Sequence, residues 1–412
     1  MRAYREVLRL PGVRALILVG LLARIPSVSA GVTLTLHVVL DLDRGYAAAG
    51  LVGAAATIGA ALGAPLLGRM VDRRGLRPVL VLTTIAEALF WSTAGALPYP
   101  ILLVAALVGG LLLLPTFSVI RQSLAALVPE EQRRPAYALD SMSVEVSFMI
   151  GPALAVLLAT TVSPRATMYA VGGGIVLAGL LLFVQDPPIR AEHEAAPSTR
   201  RVPLRSWLTP RMAGILAISV ATTLVLGGTD VAVVAVLREA GQVQFTGLVL
   251  AAWGVYSLAG GFAYGAVRRA PPPVVLMLVL GLFTIPVGFA GDQWWLVAIA
   301  LLPAGALCAP TLASAADAVS RLAPPEVRGL AMGVHGSAIT VGLAVGAPLA
   351  GAVIDASAPA WGFAATGLVG ALVALVVLPL EIRRRSAAAG ADAGAEADVA
   401  PASPVEVHQH RT

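Results

Sequence analysis

Val128-Pro129-Glu130-Glu131-Gln132-Arg133 returns as Ala323-Pro324-Pro325-Glu326-Val327-Arg328, 195 residues further along the chain. The same offset carries Pro115-Thr116 to Pro310-Thr311, and Gly151 and Leu154 to Gly346 and Leu349. A second set, Gly50-Leu51-Val52, Gly63 and Gly68, returns at an offset of 197 as Gly247-Leu248-Val249, Gly260 and Gly265. A two-residue insertion reconciles the offsets. Two similar halves of hydrophobic helices are the signature of a transporter built from repeats, with its site between them.

Composition points to the same solvent. Of 412 residues, 58% are hydrophobic and only 12% charged. No soluble core could absorb that much apolar surface, so lipid is its natural surrounding. The net charge of +5 does not mark a nucleic-acid binder, because all 28 basic residues are arginines and most lie between apolar stretches. That placement suits loops at an anionic membrane face, and not a basic groove with interleaved aromatics. The single cysteine, Cys308, excludes an internal disulfide and a cysteine-rich metal site. The start, Met1 to Glu6, leads into a long span without a small-residue cleavage site and reads as a retained first helix.

Crossing hydrocarbon takes about 20 apolar residues. Twelve stretches approach or meet this: 13–39, 46–68, 78–97, 100–127, 136–161 and 167–184, then 212–237, 245–266, 273–291, 294–318, 328–355 and 361–380. Arginine is heavily biased to alternate connections; the opposite set holds only Arg44, Arg165 and Arg238. Both termini are therefore expected in the cytoplasm of a cell bounded by this inner (plasma) membrane. The expected organisation is a six-helix bundle over 1–187, a cytoplasmic linker over 188–210, a second bundle over 211–385, and a disordered tail over 386–412.

The loop after the second span reads Gly68-Arg69-Met70-Val71-Asp72-Arg73-Arg74-Gly75-Leu76-Arg77. Gly68 lets another backbone approach, and Gly75 permits a tight turn. Asp72 lies at a helix C-terminus, where the dipole disfavours a carboxylate. It calls for a cationic partner or the N-terminus of another helix. Here the chain resembles the major facilitator superfamily, whose loop between helices two and three runs Gly-x-x-x-Asp-Arg-x-Gly-Arg-Arg/Lys. Gly68, Asp72, Arg73, Gly75 and Arg77 match, while Leu76 replaces the first closing basic residue. The resemblance covers about residues 10–385. It implies an all-α membrane fold of twelve helices in two pseudo-symmetric bundles that rock to give alternating access. It also implies that spans one, four, seven and ten line a central cavity, while two, five, eight and eleven pack across the bundle interface. Gly68, Asp72, Arg73, Gly75 and Arg77 then form a conformational latch.

Ionisable residues within a span are functional candidates. Arg24, Glu87, Arg121, Glu145 and Asp230 are the candidates for coupling and the substrate cavity. Arg24 and Glu145 both fall roughly 14–17 Å from the cytoplasmic ends of their spans, which predicts an Arg24–Glu145 pair. That pair is either structural or a coupling device in which Glu145 takes up a proton as Arg24 turns to substrate. A Glu87–Arg121 pair is the second expectation. Asp230 either meets a cationic substrate or reaches water beside Arg238. Asp140 and Asp317 read as interfacial, and His335 as a structural histidine in a helix-packing surface.

Gly151-Pro152 in span five is similar to the antiporter element of the superfamily's drug exporters, although Ala153, Ala155, Ser143 and Ser147 stand where that element has further glycines. No phosphate-binding Gly-Lys-Ser/Thr loop, zinc motif or nucleophile–base set is present. The chain therefore reads as no enzyme, with no cofactor and no metal. It is expected to act as a monomer on a small molecule and protons within the bilayer. Its expected function is proton-coupled export of a small amphiphilic drug or metabolite. Import of a small organic solute or anion, and a non-transporting sensor or scaffold, are the alternatives.

Overall fold

The computed structural model describes residues 2–190, 202–267, 271–291 and 293–398, and within them every regular element is helical. An apolar chain in lipid must satisfy its backbone polar groups internally, and helices do so within each span. Eleven helices are long and apolar enough to cross a membrane, and a shorter apolar one covers Pro273–Phe289. Many of their large apolar side chains, such as Leu18, Leu62, Leu89, Leu157 and Val376, are exposed.

In the first half, α1 (Arg2–Arg9) precedes α2 (Val13–Leu36), α3 (Tyr46–Arg74) and α4 (Leu76–Thr93). The fourth span is split into α5 (Tyr99–Leu111) and α6 (Thr116–Leu127), followed by α7 (Arg133–Thr161) and α8 (Pro164–Gln185). Pro115 explains the split, since a proline pushes the residue before it out of the helical region. The short α9 (Leu204–Trp207) lies in the stretch expected as the linker, and residues 191–201 of that stretch lie outside the described residues. The second half holds α10 (Pro210–Glu239), α11 (Thr246–Ala266), α12 (Pro273–Thr284), α13 (Trp294–Leu322), α14 (Arg328–Ala356) and α15 (Ala360–Asp398). The ninth span is shorter than predicted because Pro286 follows the end of α12. The helix of α15 is continuous past residue 386, where the sequence predicts a tail, and 399–412 lie outside the described residues.

The repeat in sequence is a repeat in packing. In the first half α2 lies on α7 and α8, α3 on α5, and α4 on α8. One repeat later α10 lies on α14 and α15, α11 on α13, and α12 on α15. Between the halves the main contacts are α3 with α14 and α7 with α11 and α13. These bring together spans two, five, eight and eleven.

The shared glycines mark these crossings. A Cβ on Gly63 would overlap the Leu111 carbonyl oxygen, and a Cβ on Gly260 would overlap that of Ala306. Each pair joins the second and fourth spans of its own half. Gly63→Val and Gly260→Val should each lower stability by about 1–3 kcal/mol, the usual cost of overpacking. Thermal unfolding in detergent checks this against Gly50→Ala, where a Cβ meets nothing within 4 Å. Equal melting of all three would contradict the packing argument.

Candidate functional site

The end of α3 holds the first group of candidate residues. The Asp72 carboxylate accepts hydrogen bonds from the Gly329 and Leu330 amides at 2.8 and 2.7 Å. These are among the first N–H groups of α14, which have no partner within their own helix. The positive end of that dipole also compensates the unfavourable dipole of α3. The expectation of a helix N-terminus as partner for Asp72 is met, while its cation, Arg190, donates to the Asp72 backbone oxygen at 2.9 Å. Gly68 packs against the Gly329 carbonyl so closely that a Cβ would overlap it. Gly75 turns the chain from α3 into α4 with φ 81°, a conformation that favours glycine. Arg77 pairs with Asp186 at 3.0 Å, an exposed contact of small energetic weight. Arg73 is exposed.

Three more ties join the halves on this side. Arg321 pairs with Glu130 at 2.6 Å, and Arg134 donates to the Val267 carbonyl at 2.8 Å. The Tyr4 hydroxyl donates to the carbonyls of Gly261 and Phe262 at 3.1 and 2.5 Å, and its ring stacks on Phe262. Burial pushes the Tyr4 phenol up to about 12, so it remains an O–H donor.

Deeper in the first half, Asp140 accepts from Arg24 at 2.5 Å and from Arg121 at 3.0 Å. All three are buried. Arg24 also donates to the Ser143 hydroxyl at 2.8 Å and lies over the Phe117 ring. Arg121 continues across the interface, donating from Nη1 to His335 Nε2 at 3.2 Å. His335 Nδ1 lies 3.2 Å from Ser219 Oγ, whose own proton goes to the Ile215 carbonyl. This pattern assigns the Nδ1–H tautomer to His335, donating to Ser219 and accepting from Arg121.

The two predicted pairs are not formed. Arg24 meets Asp140 instead of Glu145, for reasons of phase and direction. On α7, five residues turn about 140°, so Glu145 leaves the face that Asp140 presents to α2. Counted from Val13 and Arg133, Arg24 lies about 6 Å deeper than Asp140. Helical side chains tilt toward the N-terminus, so the long arginine reaches back over that distance. Asp140 is thus buried and central, and not interfacial. The signal for it was the spacing of Asp140, Ser143, Ser147 and Gly151, all on one buried face of α7. Glu87 likewise misses Arg121. It accepts from Trp91 Nε1 at 2.8 Å and from the Leu114 amide at 3.3 Å, at the split between α5 and α6. It caps a break in the backbone and does not line the central cavity.

That cavity, of about 550 Å³, lies between the halves and is lined from α7, α10, α11, α13 and α14. Glu145 and Asp230 both line it. Glu145 accepts from the Ser257 hydroxyl of α11 at 2.8 Å, so this bond also crosses the interface. A wider vestibule of about 760 Å³ adjoins at Asp230 and carries Arg238, Glu239 and Asp355. Its residues come mainly from the ends of α10 and α14 remote from Asp72, so it lies on the side opposite the Asp72–α14 contact. A third, apolar groove between α2, α7 and α8 holds none of the predicted charged residues.

A family model described as Major Facilitator Superfamily matches residues 16–289 and 215–410. Solved structures share the fold. The human organic anion transporter MFSD10 (TETRAN) aligns with TM-score 0.69 at 18% identity, over 89% of this chain and 100% of that one. A bacterial homologue of the iron transporter ferroportin, in an outward-facing state, aligns with TM-score 0.72 at 16% identity, over 92% and 100%. The E. coli fucose:proton symporter FucP aligns with TM-score 0.65 at 16% identity, over 89% and 97%. No curated protein sequence matches the chain.

Proposed function

Because the chain belongs to the Major Facilitator Superfamily, a family of multi-pass membrane transporters, we propose that it is a secondary active exporter of a small amphiphilic molecule. It works by alternating access and is coupled to protons. The observation that carries this reading is Glu145, a carboxylate in a cavity between the two halves, hydrogen-bonded across the interface to Ser257. Cavity and vestibule open opposite a closed latch, which corresponds to an outward-facing state with the latch and both termini in the cytoplasm of an inner-membrane protein.

The coupling step then falls to Glu145 and Asp230 without Arg24. A proton arriving from the vestibule replaces substrate on these carboxylates. It leaves from the same groups once the ties at Asp72, Tyr4, Arg134 and Arg321 open and the cavity faces the other side. Alternation of a fixed site between the two faces is what converts a proton gradient into export. Arg24 and Arg121 turn to Asp140 and line neither cavity, which removes the support for an anion importer. A scaffold, in turn, has no use for two carboxylates in an apolar cavity.

Glu145→Gln keeps the shape and the hydrogen bond from Ser257 but cannot release a proton. In proteoliposomes with an imposed pH gradient, uphill flux should fall by a factor on the order of a hundred, the scale of lost proton-transfer groups. Substrate exchange without a gradient should persist through Asp230, at a higher substrate concentration and with far less loss than uphill flux. Wild-type uphill flux in this variant would overturn the coupling assignment.

A further inference from the structure

The chemistry of the same cavity goes one step further, and rests on its being the transport site. We propose that the cavity takes an organic cation: a single positive charge carried on an apolar body.

Charge carries the first part. Glu145 and Asp230 both face the cavity, and among its described lining residues there is no arginine or histidine. The remaining polar groups there, Thr223, Ser257, Cys308 and the Trp253 indole N–H, are uncharged. An anionic ligand would meet two carboxylates with no counter-charge. A neutral apolar ligand would strip water from them and return nothing, which is costly for any buried ion. A cation supplies a counter-charge to one of them and eases the repulsion between the two. The vestibule has the same sign: Asp230, Glu239 and Asp355 stand against Arg238 alone. A molecule coming from that side meets more acidic than basic groups, an arrangement that concentrates cations in a low-dielectric cleft.

The walls carry the second part. Phe148, Met149, Trp253, Leu226, Leu250 and Leu343 line the cavity. Aromatic faces attract a cation, and a thioether adapts to varied apolar shapes. A bare metal ion is a poor match, because it needs a cage of several oxygen ligands. Among the described residues no group of three His, Cys, Asp or Glu side chains comes together. At about 550 Å³ the cavity falls within the size range of sites for drug-sized molecules.

Three probes of nearly the same shape separate charge from greasiness: tetraphenylphosphonium, the neutral tetraphenylsilane, and the anion tetraphenylborate. Binding to the purified full-length protein in nanodiscs is read by equilibrium titration at neutral pH. Only the phosphonium should bind saturably, and Asp230→Asn combined with Glu145→Gln should weaken it about tenfold or more. The single Asp230→Asn variant replaces a side chain already exposed to the cavity, so its folding is safe, and it should show part of the loss. Equal or tighter saturable binding of the borate or the silane would overturn the proposal. So would phosphonium binding that ignores both substitutions in folded protein. Flux is not needed for this readout. Binding without gradient-driven transport of any substrate sinks the exporter and leaves the cation site standing. Gradient-driven flux with preference for the borate does the reverse.

Discussion

Asp140→Ala should unfold a large part of this protein's stability margin, by about 3–5 kcal/mol, the cost of breaking a buried ion pair from one side. Two guanidiniums, Arg24 and Arg121, depend on that one carboxylate, and all three groups are buried. Removing it leaves both cations without a counter-charge in the middle of the first bundle. The reverse deletion is milder. In Arg24→Leu the carboxylate keeps Arg121, and an apolar side chain replaces a desolvated one. The combination of Arg24→Leu with Asp140→Ala should recover part of the loss, since one stranded cation is gone. Thermal melts in one detergent rank the variants: Arg24→Leu above the double, and the double above Asp140→Ala. A melt of Asp140→Ala equal to wild type would contradict the assigned network.

Asp72→Ala should act on conformation and not on folding. Its two hydrogen bonds to the Gly329 and Leu330 amides join the halves in this structure, and on the proposed alternation they must break when that side opens. Hydrogen bonds to a charged group contribute about 1.5–3 kcal/mol each. Losing both shifts the balance toward the latch-open form by at least about tenfold, even if much is recovered by water. Spin labels on the loops flanking α3 and α14 would show the longer distance gaining population. Asp72→Asn keeps an acceptor oxygen without the charge and should fall between wild type and alanine. An unchanged distance distribution in Asp72→Ala would remove Asp72 from the latch. The same measurement on Arg73→Ala should show little, because that side chain is exposed.

Some of this was legible before any coordinates. Hydropathy and the arginine bias are local, so the number and order of spans could be read directly. The helix-dipole argument is local as well, and it pointed Asp72 to another helix N-terminus. Pairing inside the bundle was not legible to the same degree. It depends on where a helix starts and which way its side chains lean. Starting α7 at Arg133 and not at 136 rotates no residue, but it places Asp140 fully inside and within reach of Arg24. The link from Arg121 to His335 joins residues of different halves, and no periodicity within one helix announces it. Glu87 shows a third kind of miss: its partner is a backbone amide freed by the break before Pro115, which carries no side-chain signature. The proline was visible, and a freed amide near it was the clue.

The seam between α3 and α14 has one more consequence. Gly68 faces Gly329, Gly333 faces the Ala64 carbonyl, and Ser337 donates to the Ala61 carbonyl at 2.7 Å. At these three points the two helices meet backbone to backbone or through one small side chain. A joint of this kind is a plain bearing. Where backbone meets backbone, sliding asks for no rotamer change, so polar ties such as those of Asp72 and Ser337 carry much of the resistance to it. If the proposed alternation occurs at this seam, the polar ties are its removable pins and the glycine-lined contact is its smooth hinge.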